Sequence, residues 1–205
     1  MTEVEVAYRL CEAPIIGITG SNGKTTTTTW IGLMLEQGGL RPIVAGNIGT
    51  PLTEAALEAG KENVMVVELS SFQLKGTQTF RPAIACLLNV YETHLDYHGS
   101  MEDYIQSKAK LFANQTEEDT AVLNWDDEVC RKVAQGAAAQ ILPFFPWSSS
   151  WITECMWKGA STPAWNRRRS IATGQDASIS LPRRGKSGSP VRLTSRTPWR
   201  LPPWP

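Results

Sequence analysis

With 205 residues, 41% of them hydrophobic, the chain has material for one or two globular domains. No apolar run is long enough to cross a bilayer, and no basic stretch leads into a long apolar core at the N-terminus, so a cytoplasmic protein without a membrane span is expected. The net charge of zero hides a split: residues 1–143 carry 18 acidic and 10 basic side chains, whereas residues 144–205 carry two acidic and ten basic ones.

The first predicted strand covers 14–19 and ends in a glycine turn. The first predicted helix covers 26–37, where Trp30, Leu33, Met34 and Gln37 recur at helical spacing. Between them lies Gly20-Ser21-Asn22-Gly23-Lys24-Thr25-Thr26. A strand that passes through such a turn into a helix aims several backbone N–H groups at one point. The helix dipole and the Lys24 ammonium add positive potential there. That is a seat for a polyphosphate. The common P-loop pattern has a further glycine where Ile18 stands, so the version here is the shorter Gly-x-x-Gly-Lys-Thr.

Further strands are predicted over 43–45, 64–69, 83–90, 121–124 and 141–142, with helices over 51–59, 101–113 and 128–134. Pro51 suits a first helical position with Thr50 as its cap, and Ser100 with Asp103 resembles a capping box. Strands that alternate with helices and read as apolar on both faces imply an α/β fold with a mostly parallel sheet and flanking helices. In such sheets ligands bind beyond the carboxyl ends of the strands. Cys11, Cys86, Cys130 and Cys155 lack the paired spacing of a zinc or redox site and read as reduced thiols.

Several strand ends offer chemistry. Asn47 sits in a Gly-Asn-Ile-Gly turn; such residues are also ordinary turn formers. Glu68 closes an apolar strand, where a carboxylate can hold the magnesium that accompanies a nucleotide or can merely face solvent. The loop after the strand over 83–90 holds both histidines of the chain, His94 and His98. A loop histidine is usually just solvated, but from a strand parallel to that of Glu68 His94 could instead reach the same metal cluster. Magnesium prefers oxygen ligands, so an imidazole there would suit manganese as well. By spacing alone Lys108 and Lys110 read as surface charges on a helix.

From about residue 144 the periodicity stops. This tail holds six of the eight tryptophans and eight of the 13 prolines, with Arg167-Arg168-Arg169 in its middle. Three origins fit: a basic, aromatic nucleic-acid-binding tail, a natural linker, or translation in a shifted reading frame. The abrupt break in an orderly pattern favours the shifted frame, and no nucleic-acid partner is expected.

Taken together, Gly20 to Thr25, Gly46-Asn47-Ile48-Gly49, Glu68-Leu69-Ser70-Ser71-Phe72-Gln73-Leu74, Asn89-Val90, His94-Leu95-Asp96, Lys108-Ala109-Lys110 and Leu123-Asn124-Trp125-Asp126-Asp127 resemble the Mur ligase family, the ATP-dependent amide ligases of peptidoglycan precursor synthesis. The resemblance covers about residues 4–143, and its Ser-Ser-Phe-Gln wording is similar to the branch that adds D-glutamate. It implies the family's P-loop-type central domain in incomplete form, acting as a monomer on ATP, D-glutamate and UDP-N-acetylmuramoyl-L-alanine, with Mg2+ or Mn2+. Lys24 and the loop from Gly20 through Thr26 would hold the β- and γ-phosphates. Thr25 and Glu68 would bind one metal, and His94 a second. Lys108 matches the family's carbamylated lysine, whose added carboxylate replaces a repelling cation by an attracting anion. Asn47, Ser71 and Gln73 match positions near the muramoyl substrate.

The resemblance leaves the family's N-terminal and C-terminal domains and the rest of its central sheet unmatched. A truncated, inactive ligase fragment is therefore expected, with residues 1–143 as a partial central domain and 144–205 as an irregular tail. A nucleotide-binding remnant without catalysis and a folylpolyglutamate synthase-like ligase are the alternatives. A guanine-nucleotide switch is disfavoured, since no Asn-Lys-x-Asp motif occurs.

Overall fold

The computed structural model describes residues 2–93 and 95–146 of the chain. His94, Cys155 and all of the tail beyond residue 146 lie outside the described residues, and with them the three origins weighed for that tail. The strands are β1 (Ile15–Thr19), β2 (Arg41–Gly46), β3 (Asn63–Glu68), β4 (Ile84–Leu87), β5 (Thr120–Asn124) and β6 (Gln140–Phe144). The helices are α1 (Glu3–Leu10), α2 (Lys24–Gln37), α3 (Leu52–Glu58), α4 (Ser71–Lys75), α5 (Leu95–His98), α6 (Met101–Ala109) and α7 (Glu128–Gln135). The strands form one sheet in the order β2-β3-β1-β4-β5-β6, and every pairing is parallel.

The two-residue period of the strands divides their side chains between two cores. On one face Ile15, Met65, Val67, Ala85, Leu87, Ala121 and Leu123 pack with residues of α1, α3, α4, α6 and α7. On the other, Ile16, Ile18, Val64, Val66 and Cys86 pack against Ile31 and Leu35 of α2. Strands covered on both sides have no solvent face to mark, which is why they read as unbroken apolar runs.

All six expected strands are present. β4 is shorter than the expected 83–90, because the next residues turn away to serve the glycine loop: the Asn89 carbonyl accepts from the Ser21 amide at 3.0 Å. Helix α6 stops at Ala109, short of the expected 113, and gives way to turns. The cap of α3 is Pro51 itself, with no side-chain bond, rather than Thr50. Ser100 does cap α6, accepting from the Asp103 amide at 3.2 Å, but the Asp103 carboxylate turns to Lys75 and His98 instead of closing the box.

The periodic face of α2 points the other way from a core. Trp30, Leu33 and Met34 are each more than half exposed, and the helix meets the sheet through Thr28, Ile31, Gly32 and Leu35. A Cβ at position 32 would come within 2.6 Å of Val44 Cγ2, so this close helix–strand approach requires glycine. Cys11, Cys86 and Cys130 are buried, and burial pushes the Cys86 thiol up to about 12.

Candidate functional site

Because β3, β1 and β4 are adjacent and parallel, the segments that follow them emerge at one rim of the sheet. In register, Ile18 lies beside Glu68, and Thr19 lies beside Leu87. The glycine loop rises from β1. Gly23 has φ 81° and caps α2 without any side-chain bond, so no capping oxygen stands between the first-turn amides and an anion. With the helix dipole behind it, the loop carries the electrostatics of a phosphate cradle. Lys24 Nζ donates to the carbonyls of Gly20 and Ser21, each at 3.0 Å, which folds the ammonium over the loop.

Glu68 is 2% exposed and accepts two hydrogen bonds, from Thr25 Oγ1 at 2.8 Å and from Asn47 Nδ2 at 3.0 Å. The loop threonine and the strand-end carboxylate therefore already touch, as a shared metal would require. Asn47 is carried there by Gly46, whose φ is 109° and where any Cβ would collide with the Glu68 carbonyl oxygen. The Asn47 amide also donates to that carbonyl, at 3.0 Å.

Lys108 corrects the surface reading of its spacing. It is 2% exposed and reaches under the loop, donating to the Gly20 carbonyl at 2.9 Å. Burial, with the nearby positive charge of Lys24 adding to it, pulls its ammonium down to about 7, so a large share is neutral amine near neutral pH. Its Nζ lies 4.7 Å from the centre of the Tyr104 ring. Lys110 is tied down as well, to the carbonyls of Lys75 and Thr77.

The motif Ser70 to Gln73 builds a helix start. Ser70 Oγ accepts from the Gln73 amide at 3.3 Å, and Gln73 Oε1 accepts from the Ser70 amide at 3.0 Å, a complete capping box on α4. Ser71 turns inward, 3% exposed, to His98 Nε2 at 2.9 Å, and His98 Nδ1 meets Asp103 at 2.7 Å. Lys75 first, and His98 second, hold the Asp103 carboxyl below the usual range. The chain Ser71–His98–Asp103 thus ties α4, which follows Glu68, to α6, which carries Lys108. Nothing in the spacing distinguished His98 from a solvated loop histidine.

The model of the Mur ligase middle domain matches residues 18–153. The chain belongs to the Mur ligase family. Among curated relatives, a UDP-N-acetylmuramoylalanine–D-glutamate ligase of Geobacillus sp. (strain WCH70) is 57% identical over 144 residues, 70% of this chain and 32% of that protein. The enzyme of the same name from Ligilactobacillus salivarius (strain UCC118) is 48% identical over 146 residues, with the same coverage of 70% and 32%. The chain therefore spans about a third of the length of the curated relatives it matches. Among solved structures, the MurF ligase of Thermotoga maritima in complex with ADP shares the fold, with a TM-score of 0.56 at 23% identity over 71% of this chain and 36% of that one.

Of the residues that the Mur ligase resemblance singled out, the fold brings Lys24, Thr25, Glu68, Asn47 and Lys108 to one rim. Ser71 and Gln73 stand close by but are engaged in packing α4. Among the described residues no cluster of three or more His, Cys, Asp or Glu side chains is poised around a metal position, and no helix is long and apolar enough to cross a membrane.

Proposed function

We propose that this chain is the nucleotide- and metal-holding region of a cytoplasmic, monomeric, ATP-dependent ligase that joins D-glutamate to UDP-N-acetylmuramoyl-L-alanine in peptidoglycan precursor synthesis. One observation carries the reading: an uncapped glycine loop, its Lys24 and Thr25, the buried carboxylate of Glu68 and the buried amine of Lys108 share one sheet rim. The choice of D-glutamate follows the names of the relatives at 48–57% identity. In this reading residues 1–143 are part of the central ATP-binding domain.

The donor set fits the groups such a ligase needs. The loop from Gly20 through Thr26 would hold the phosphates, with Lys24 neutralising charge between them. Thr25 and Glu68 offer the hydroxyl and carboxylate oxygens that magnesium prefers. ATP would pass its γ-phosphoryl group to the L-alanine carboxylate, leaving ADP and an acyl phosphate, and magnesium held by Thr25 and Glu68 would supply positive charge to offset that of the phosphates. The amine of D-glutamate then displaces phosphate. Lys108 is suited to carbamylation, since only a neutral amine adds to carbon dioxide and burial keeps much of it neutral. As a carbamate it would serve, with His94, at a second metal. Asn47 keeps Glu68 turned to the loop beside the muramoyl substrate.

The test is calorimetric titration of the chain with ADP and magnesium. Wild type is expected to bind, and Lys24→Ala to lose at least tenfold in affinity with its circular dichroism unchanged. An unbound wild type, or a Lys24→Ala variant that binds equally well, overturns the reading. Phosphate release from ATP that requires both the muramoyl substrate and D-glutamate separates a competent ligase from a nucleotide binder without turnover.

A further inference from the structure

Helix α6 grips the phosphate loop at two points one turn apart. Lys108 holds the Gly20 carbonyl, and four residues earlier Tyr104 OH lies 3.0 Å from Ser21 Oγ. Tyr104 is 1% exposed, and its ring packs edge-on against His98 with centroids 5.2 Å apart. A phenylalanine would fill that space equally well. The hydroxyl is therefore what distinguishes this side chain from a core aromatic.

The bonding at Ser21 gives that hydroxyl a direction. Ser21 Oγ accepts from the Tyr91 amide at 2.8 Å and can donate its own proton to the Tyr91 carbonyl at 3.1 Å. A serine hydroxyl has one proton and two acceptor positions. With the proton and one acceptor position committed to Tyr91, the remaining one takes the phenol proton of Tyr104. Burial raises the Tyr104 phenol above its usual range, which keeps that proton in place. On its other side the loop is fixed by Asn89, whose carbonyl takes the Ser21 amide at 3.0 Å and whose Oδ1 takes the Asn22 amide at 2.9 Å.

We propose that Tyr104 is a positioning residue: through Ser21 it sets the phosphate loop against the helix that carries Lys108, so that cradle and amine keep one geometry. The role of the loop in holding a nucleotide rests on the function proposed above; the positioning of the loop does not. A preorganised cradle binds more tightly, because ordering is complete before the ligand arrives.

The experiment compares wild type, Tyr104→Phe, Ser21→Ala and the double variant in the full chain, with two readouts. Amide hydrogen exchange without nucleotide is expected to quicken about three- to tenfold at Ser21 and Asn22 in Tyr104→Phe, the scale of one net hydrogen bond, with β3 and α7 unchanged. The ADP dissociation constant is expected to rise by a similar factor in Tyr104→Phe and by more in Ser21→Ala, which also loses both bonds to Tyr91, with no further rise in the double variant. Unchanged exchange at the loop, exchange that quickens equally throughout the sheet, or effects that multiply in the double variant would overturn the proposal. Should wild type bind no ADP while the exchange pattern holds, the nucleotide reading falls and the positioning role stands.

Discussion

Of the buried carboxylates among the described residues, Glu5 and Glu68 stand in different parts of the molecule, and their partners separate them. Glu5, on α1, is fully buried and takes hydrogen bonds from the amides of Gln78, Thr79 and Phe80, from the Thr79 hydroxyl and from Arg9. Glu68, at the loop rim, takes among the described residues the Thr25 hydroxyl and the Asn47 side-chain amide. An ionised carboxylate has about four acceptor positions. Glu5 has filled them and has become a clasp between α1 and the loop before β4, whereas Glu68 keeps capacity for a cation. Burial alone does not mark a site; unspent bonding capacity does.

The largest expected effect that sharpens this contrast is on stability. Glu5→Ala would remove the shared acceptor of three backbone amides, that of buried Phe80 among them, at a cost of about 3–5 kcal/mol by urea denaturation. A loss below about 1 kcal/mol would mean that the clasp is ornamental. The second effect is its acid dependence. Burial on its own would raise the Glu5 carboxyl, but the bonds from Thr79, Gln78 and Arg9 prevail and hold it at about 2, against an ordinary 4.5. A depressed carboxylate stabilises fully above its unfolded value, and that contribution fades as pH falls from about 4.5 towards 2. About 3 kcal/mol should vanish across this window. Glu5→Gln should flatten that part of a pH–stability profile.

The smallest expected effect falls on Glu68 and is of another kind. Glu68→Gln should change stability by less than about 1 kcal/mol, since both neighbours keep a bonding partner. It should cost about tenfold in magnesium-dependent ADP affinity while leaving binding without magnesium nearly unchanged. Equal losses with and without magnesium would make Glu68 a second clasp and erase the contrast with Glu5.

Much of this arrangement could be read before any coordinates. The strands, the loop and Glu68 were legible because a parallel sheet writes buried strands as apolar runs and puts their polar ends at one rim. Helix α1 is not among the expected elements, although Val4, Ala7, Tyr8 and Cys11 recur at helical spacing. The facing of α2 was hidden for a physical reason: Gly32 admits Val44 so closely that the small side of the helix goes inward and Trp30, Leu33 and Met34 stay outside. Lys108 looked like a surface charge because a helix alone does not say that its lysine will be drawn beneath a neighbouring loop. His98 and Tyr104 carry no signal in spacing, since each acts through a partner, Ser71 or Ser21, from a distant part of the chain.

Gly46 has a consequence for how this region can change by mutation. Its backbone is left-handed, and the Glu68 carbonyl occupies the volume a methyl group would need. Every other encoded amino acid must therefore lever the tip of β2 away from β3, and Asn47 with it. Damage from a swap outside the glycine loop would, on the function proposed above, surface as weakened magnesium retention in an otherwise folded protein, a phenotype easily mistaken for a lesion in the ligand set itself.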